Sequence, residues 1–377
     1  MRRLQNEHGI ALPLAVFSLV VITGLVAGSL FVATQEQRIG RNTLRHEAAF
    51  TAAEAGMQDA VLNWSTGYQT LTMGGTVSAT ATAPDGQGWY RQTIRRLGPM
   101  VFLVTSEGFT RDSTSRSRVG ALLRLRPLEF NIDAALKTQG TTRVGGSSEI
   151  TGHDSVPAGW TDCPPAAPEQ PGIRMPDPTM LSTSGNCAGN ACISGSPQVL
   201  QDTTINSQTL SSVGDIPFDS LEQYATKTVS GGSMQQILPS TTSSGECNTG
   251  DLNNWGDPVN PTGPCGSYFP IVYSDGDLQL GSGYGQGVLI VDGNLTVNGG
   301  FTWYGPVLVA KTLSTAGNGG HFNGGVIAAN TDLCTSSSCA TSVMGNALVS
   351  FSSCALQKAL TFSATAGPLA RSWVNLY

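Results

Sequence analysis

The sequence predicts an α+β chain that is mostly β. It consists of a long N-terminal transmembrane helix, a small antiparallel β-meander, and a distal right-handed parallel β-solenoid interrupted by an irregular, disulfide-containing insertion. Three observations predict this. Residues Ile10 to Gln35 carry no charge. Four strand-like runs separated by turn signals follow the helix. Beyond residue 270, short apolar tetrads recur at near-constant spacing. The composition agrees, with 12% charged residues and 46 Gly in 377, against about 25% and about 7% in ordinary globular chains. Such sparse charge argues against a typical soluble α/β enzyme. The formal charge of −6 argues against a nucleic-acid binder that works by overall basicity.

The uncharged run exceeds the roughly 20 apolar residues needed to cross a bilayer. Arg2 and Arg3 precede it, and positive charge there keeps the N-terminus cytoplasmic. A secretory signal would have a shorter apolar core, about 7 to 15 residues, and a small-residue cleavage site after it. A plain membrane anchor fits the same run. The following stretch, EQRIGRNTLRHEAAFTAAEAGMQDAVLNW, keeps helical spacing with Ile39, Leu44, Ala48, Ala52, Ala55, Ala60 and Leu62. Its alanine content favours helix. One continuous helix from about residue 10 to 64 is expected, roughly 80 Å long.

This region resembles the N-terminal segment of minor pilins of type IV pili, of the PilX kind. The resemblance rests on a short basic leader ending in Gly9, an apolar run from Ile10, and EQRIGRN followed by AAFTAAEAG. It covers about residues 1 to 65. It implies cleavage by a prepilin peptidase between Gly9 and Ile10, and methylation of the new N-terminus. It implies a protein held in the inner membrane before assembly, then moved to an extracellular filament beside the major pilin and other minor pilins. Ordinary pilins carry Glu at the fifth mature position, and here that place is Leu14. In such filaments the Glu neutralises a neighbour's N-terminal amine, and an unpaired charge in an apolar core is costly. By analogy with large tip pseudopilins that also lack it, Leu14 implies a tip or priming position. Read without the family, Leu14 is apolar filler in a lone anchored surface protein.

The chain then divides into a leader (1–9), the helix (10–65, with 10–35 transmembrane), an antiparallel head (66–130), the solenoid (131–156 and 267–377) and a Ser/Thr/Pro/Gly/Cys-rich insertion (157–266). In the head, strand-like runs at 77–83, 89–97, 100–109 and 117–126 are separated by PDGQG, Gly98-Pro99 and RDSTS. Residues 1–130 carry a net charge of +4 and the remainder −10. Arg91, Arg95, Arg96, Arg124 and Arg126 form a candidate anion-binding stripe in the head, for DNA phosphates or anionic lipid headgroups. The plainer reading is a solvated face.

Farther on, Val288–Val291, Val307–Ala310 and Val326–Ala329 are spaced by 19 residues, each after a turn former: Gly287, Pro306 and Gly325. Ile271-Val272-Tyr273 falls one step earlier. A period near 18 with short strands and glycine turns indicates stacked coils. Residues 134–151 read as an earlier coil, and a short helix at 353–360 with a final strand or tail as the closing cap. Trp255, Tyr284, Trp303 and Tyr304 are candidates for a ligand surface contacting a glycan or other surface, or else for core aromatics.

Eight cysteines, Cys163, Cys187, Cys192, Cys247, Cys265, Cys334, Cys339 and Cys354, all lie beyond residue 160. An even number outside the membrane points to disulfides. Spacing leaves the connectivity open, with Cys187–Cys192 and Cys334–Cys339 the easiest local closures. Zinc fails on spacing, because neither Cys-x4-Cys pair has a companion pair and His is rare. Calcium held by Asp275 and Asp277 is conceivable chemically but lacks a recognised loop spacing. Solenoid enzymes need clustered carboxylates with basic residues, and the distal chain offers few of the latter. The expectation is a non-enzymatic protein without cofactor or bound metal, acting in assembly, adhesion or DNA uptake.

Overall fold

The computed structural model describes residues 11–126, 131–210, 212–213, 216–330 and 340–376. They form two compact units, the first comprising Met1–Trp64, Leu71–Arg124 and Pro368–Tyr377, the second Ser65–Thr70 and Leu125–Gly367. Gly9, Ile10, Cys334 and Cys339 lie outside the described residues.

In the first unit a single helix, α1 (Ala11–Leu62), runs for 52 residues. Pro13 is tolerated because it sits in the first turn, where no intrahelical N–H is required. The apolar half is bare: Leu19, Ile22, Leu25 and Phe31 are all exposed. This half is long and apolar enough to cross a membrane. The later half buries Ala49, Ala52, Ala53, Met57 and Ala60. Their spacing of three, one, four and three keeps them on one face of the helix.

That face packs on an antiparallel sheet in the order β1 (Thr76–Thr82), β2 (Gly88–Arg96), β3 (Val101–Thr110), β4 (Arg116–Arg126). Alternation directs Tyr90, Ile94, Phe102, Val104, Val119, Ala121 and Leu123 inward, all buried. The small residues of α1 let its backbone come close. A Cβ on Gly108 would lie 2.1 Å from the carbonyl oxygen of Ala49 and 2.2 Å from the amide nitrogen of Ala53. The chain terminus returns to this sheet. Val374–Leu376 pairs antiparallel with β4, Asn375 opposite Val119. The last residues therefore belong to the head, not to the distal stack where the sequence placed them, and the second unit is an insertion between β4 and the terminal strand.

The second unit is built on two parallel sheets between which the chain alternates. Strands 271–274, 288–291, 302–309 and 321–328 lie side by side in one sheet. Strands 278–280, 295–297, 313–315 and 341–343 do so in the other. The recurring tetrads pair with one another, Val307 directly opposite Val326 and Leu289 opposite Val307, one residue out of step. β-Branched and leucine side chains thus stack into one continuous core. The turn before each tetrad needs glycine. Gly287, Gly305 and Gly324 have φ of +112°, +130° and +144°, and a Cβ on Gly305 would lie 2.1 Å from the carbonyl oxygen of Gly287.

Two features differ from the sequence expectation. Segment 134–151 is an interior member of the stack: Leu136 pairs with Val326 on one side and Ile173 on the other. Residues 157–266 are not an irregular insertion, because Ile173–Met175, Leu181–Thr183, Val199–Gln201, Lys227–Val229 and Gly232–Met234 all join these sheets. These strands are three residues long and unevenly spaced, so they leave no period in the sequence. Three disulfides join Cys163–Cys354, Cys187–Cys192 and Cys247–Cys265. The first spans 191 residues and pins the helix Ser353–Phe362, whose N-terminus is further held by Asp154 accepting from the Ser353 amide and hydroxyl.

Candidate functional site

The outer face of the head sheet collects most of the predicted arginines. Alternation along β2 exposes Arg91 and Arg95 while burying Tyr90, Gln92 and Ile94. Register then sets Arg91 opposite Glu107 and Glu107 opposite Arg118. Arg124 lies opposite Val101. Glu107 is the acidic member of this face, 3.8 Å from Arg118. Trp89 stacks on Phe109 with centroids 4.1 Å apart, and the Arg91 guanidinium lies 5.9 Å over the Trp89 ring. The result is a basic surface around a stacked aromatic pair. Beside it, His46, Glu107, Arg116, Ser117, Arg118, Asn375 and Leu376 line a cleft of about 300 Å³.

Arg96 does not belong to that surface. Its guanidinium donates to the carbonyl oxygens of Leu71, Gly98 and Pro99, so it clamps the β2–β3 turn. Alternation itself sets Arg96 on the parity of Tyr90, Gln92 and Ile94, away from Arg91 and Arg95. Arg126 is exposed and falls in the second unit.

The inner face carries a polar knot that sequence reading missed. Asp59 of α1 accepts from Tyr90 Oη at 3.0 Å, Gln92 Nε2 at 2.6 Å and Asn63 Nδ2 at 2.6 Å. Burial pushes the Asp59 carboxyl up, but these hydrogen bonds outweigh it and hold the carboxyl below its ordinary value. Burial and the nearby Asp59 charge push the Tyr90 hydroxyl up to about 12. Asp59 was readable only as one more helical acid, and only the register of β2 brings its partners to it.

The candidate ligand aromatics divide. Trp255 and Trp303 are fully buried and pack edge to face at 6.0 Å. Their indole N–H groups donate to the carbonyl oxygens of Leu252 and Pro306. They are core, not surface. Alternation along Phe301, Thr302, Trp303, Tyr304 explains it, since 301 and 303 point inward. Tyr284 and Tyr304 are half-buried, and Tyr304 lies 5.6 Å from Trp160.

The calcium candidates are also engaged. Asp275 accepts from the Gly231 amide, and Asp277 from the Asn294 amide and side chain. They staple adjacent turns. Among the described residues no group of three or more His, Cys, Asp or Glu is placed to hold a metal. In the apolar half of α1, Leu14 is exposed.

No family model and no curated protein matches the chain. Among solved structures it is similar to the competence-associated pilin ComZ from Thermus thermophilus, at 12% identity over 88% of this chain and 98% of that one, with a TM-score of 0.25. At that score the likeness is weak.

Proposed function

We propose that the chain is a minor pilin of the PilX kind in a type IV pilus system. Residues 10–35 hold it in the inner membrane, N-terminus cytoplasmic, until prepilin peptidase cuts between Gly9 and Ile10. It then joins the filament with the major pilin and other minor pilins. Leu14 suits a place at or near the tip, where assembly is initiated or capped. The two parallel sheets act as turns of a β-solenoid that is presented for adhesion or ligand contact, without catalysis and without a cofactor. The observation that carries this reading is α1, one uninterrupted helix with an apolar half laid bare and a small-residue half packed under an antiparallel sheet. Mass spectrometry of the mature N-terminus tests it. A methylated Ile10 is the expected result, and a chain beginning at Met1 or Arg2 in filament-bearing cells overturns it.

The exposed arginines of the head favour a second role, as a polyanion-binding surface for DNA uptake anchored by the same helix. Each arginine that neutralises a phosphate contributes about 0.7 to 0.9 to the slope of log K against log salt. Replacing Arg91 and Arg95 with Gln is then expected to weaken DNA binding and flatten that slope by about 1.5. An unchanged slope assigns the arginines to solvation only.

A further inference from the structure

Among the described residues the head sheet has an open edge at β1. This strand pairs with β2 alone, in unbroken register from Thr76 opposite Arg95 to Thr82 opposite Trp89. At the other end of the sheet, Val374–Leu376 already pairs with β4. The Ala83 amide donates to the Gly88 carbonyl at 2.9 Å, and the Arg96 amide to the Gly75 carbonyl at 3.0 Å. Antiparallel bonding alternates along a strand. The odd-numbered residues of β1 therefore face β2, and the N–H and C=O groups of Thr76, Ser78, Thr80 and Thr82 face outward. Edges of this kind are usually defended by charge, proline, a bulge or brevity. β1 has none of these, being the seven-residue run TVSATAT with every residue exposed except the half-buried Val77. α1 packs on β2 and β3, which leaves both faces of β1 to solvent.

We propose that β1 is a docking edge for an extended, acidic segment of another protein, which joins the head sheet as an added strand. Alternating outward donors and acceptors are what a peptide backbone complements. A phosphodiester offers acceptors only and would leave the outward carbonyl groups unanswered. Charge supplies the preference. Thr76 lies opposite Arg95 and Thr80 opposite Arg91, so all four side chains share the outer face. Both arginines are exposed, and among the described residues neither makes an ion pair. An added strand lies two strand spacings from β2, about 10 Å. An extended arginine passing over the short Thr76 or Thr80 meets a carboxylate across that gap. The incoming segment therefore carries Asp or Glu at two positions four apart, opposite Thr76 and Thr80. Between them the hydroxyl pair of Ser78 and Thr93, 2.9 Å apart, favours a further hydroxyl. A second copy of β1 cannot meet this demand, because TVSATAT holds no carboxylate. This surface is independent of the membrane anchor and of the position in a filament.

The test uses the purified full-length chain in detergent. The probe is a nine-residue peptide of alternating Thr and Val with Glu at its third and seventh positions, labelled with carbon-13 at its backbone carbonyls. Saturable binding is the expected result, with the labelled amide I band moving to the β-strand position. A peptide of the same composition with Glu at its third and sixth positions, on opposite faces, is expected to bind about fivefold more weakly. Thr80→Pro removes one outward donor and crowds the added strand, and proline is tolerated on an edge whose N–H faces solvent. It is expected to weaken peptide binding about tenfold, with the denaturation midpoint of the head and the binding of DNA unchanged. Arg91→Glu with Arg95→Glu is expected to transfer the preference to the same peptide carrying Lys in place of Glu. Absence of peptide binding, an unshifted band, or binding indifferent to Thr80→Pro overturns the proposal. So does self-association of the chain through β1 in place of peptide uptake. DNA binding that depends on Arg91 and Arg95, without peptide uptake, also overturns it and leaves the polyanion reading standing.

Discussion

At the residue scale the head depends on positions where backbone or charge has little room. Gly108 sits where α1 crosses β3, and its missing side chain is what lets the Ala49 carbonyl approach. Both neighbours are backbone, so neither can rotate away. Gly108→Ala is expected to destabilise the head by about 1–3 kcal/mol, the range for forced overpacking, read as a lower denaturation midpoint in detergent with an unchanged second transition for the distal unit. Asp59 gives a pH dependence of definite sign. Its carboxyl is held below its unfolded value, so the stability it contributes is present above pH 3.8, the ordinary value, and is lost as pH falls through the lower folded value. Asp59→Asn is expected to flatten the acid limb of head stability, measured as denaturation midpoint between pH 5 and about 2. A mutant that keeps the wild-type acid limb assigns that limb to other carboxylates.

At the element scale the two well-separated disulfides make a graded prediction. In the chain-entropy account a bond closing the 191-residue separation of Cys163–Cys354 stabilises by about 5 kcal/mol, and one closing five residues by about 2. Cys163→Ser with Cys354→Ser is therefore expected to destabilise the distal unit far more than Cys187→Ser with Cys192→Ser. Equal thermal shifts from the two double variants would contradict this. The elements also differ in how legible they were. The helix, the four head strands and the tetrads between 271 and 329 each leave a pattern: a long uncharged run, turn residues at strand ends, or repeated spacing. The helix was expected at about 10–64 and spans Ala11–Leu62. Strands such as Ile173–Met175 and Leu181–Thr183 leave none, because three residues hold at most two inward side chains and the loops between them vary. The sites were harder still. Arg91 and Arg95 were readable from alternation, and the same alternation sets Arg96 on the other side of β2 and turns Trp303 inward with Phe301. The Asp59 knot required a register that no local spacing encodes.

At the scale of the whole molecule, chain order and stacking order diverge in the distal unit. A linear repeat array gains or loses terminal repeats one at a time, because each repeat touches only its sequence neighbours. Here the segment entering the unit and the segment leaving it are adjacent inside the stack. Leu136 pairs with Val326, Thr142 with Thr341, and Glu149 with Leu348. The Ser353 hydroxyl reaches Asp154, 199 positions away in sequence. Strands 173–175 and 181–183 pair with the entering segment, and 173–175 pairs on its other side with 199–201. Removing residues 340–377 thus takes away interior pairing partners, not an outer coil, and strips the Val374–Leu376 strand from the head as well. Closing such long loops costs entropy that the non-local pairings offset, so removing those pairings leaves the cost uncompensated. Truncation at residue 339 is expected to abolish cooperative unfolding of the distal unit and expose residues 131–210 to proteolysis. A linear array would instead shorten by one coil and keep its transition. Far-ultraviolet circular dichroism with limited proteolysis separates the two outcomes, and a truncated chain that retains a sharp transition and a protected 131–210 segment would show that the entering segment does not need its distant partners.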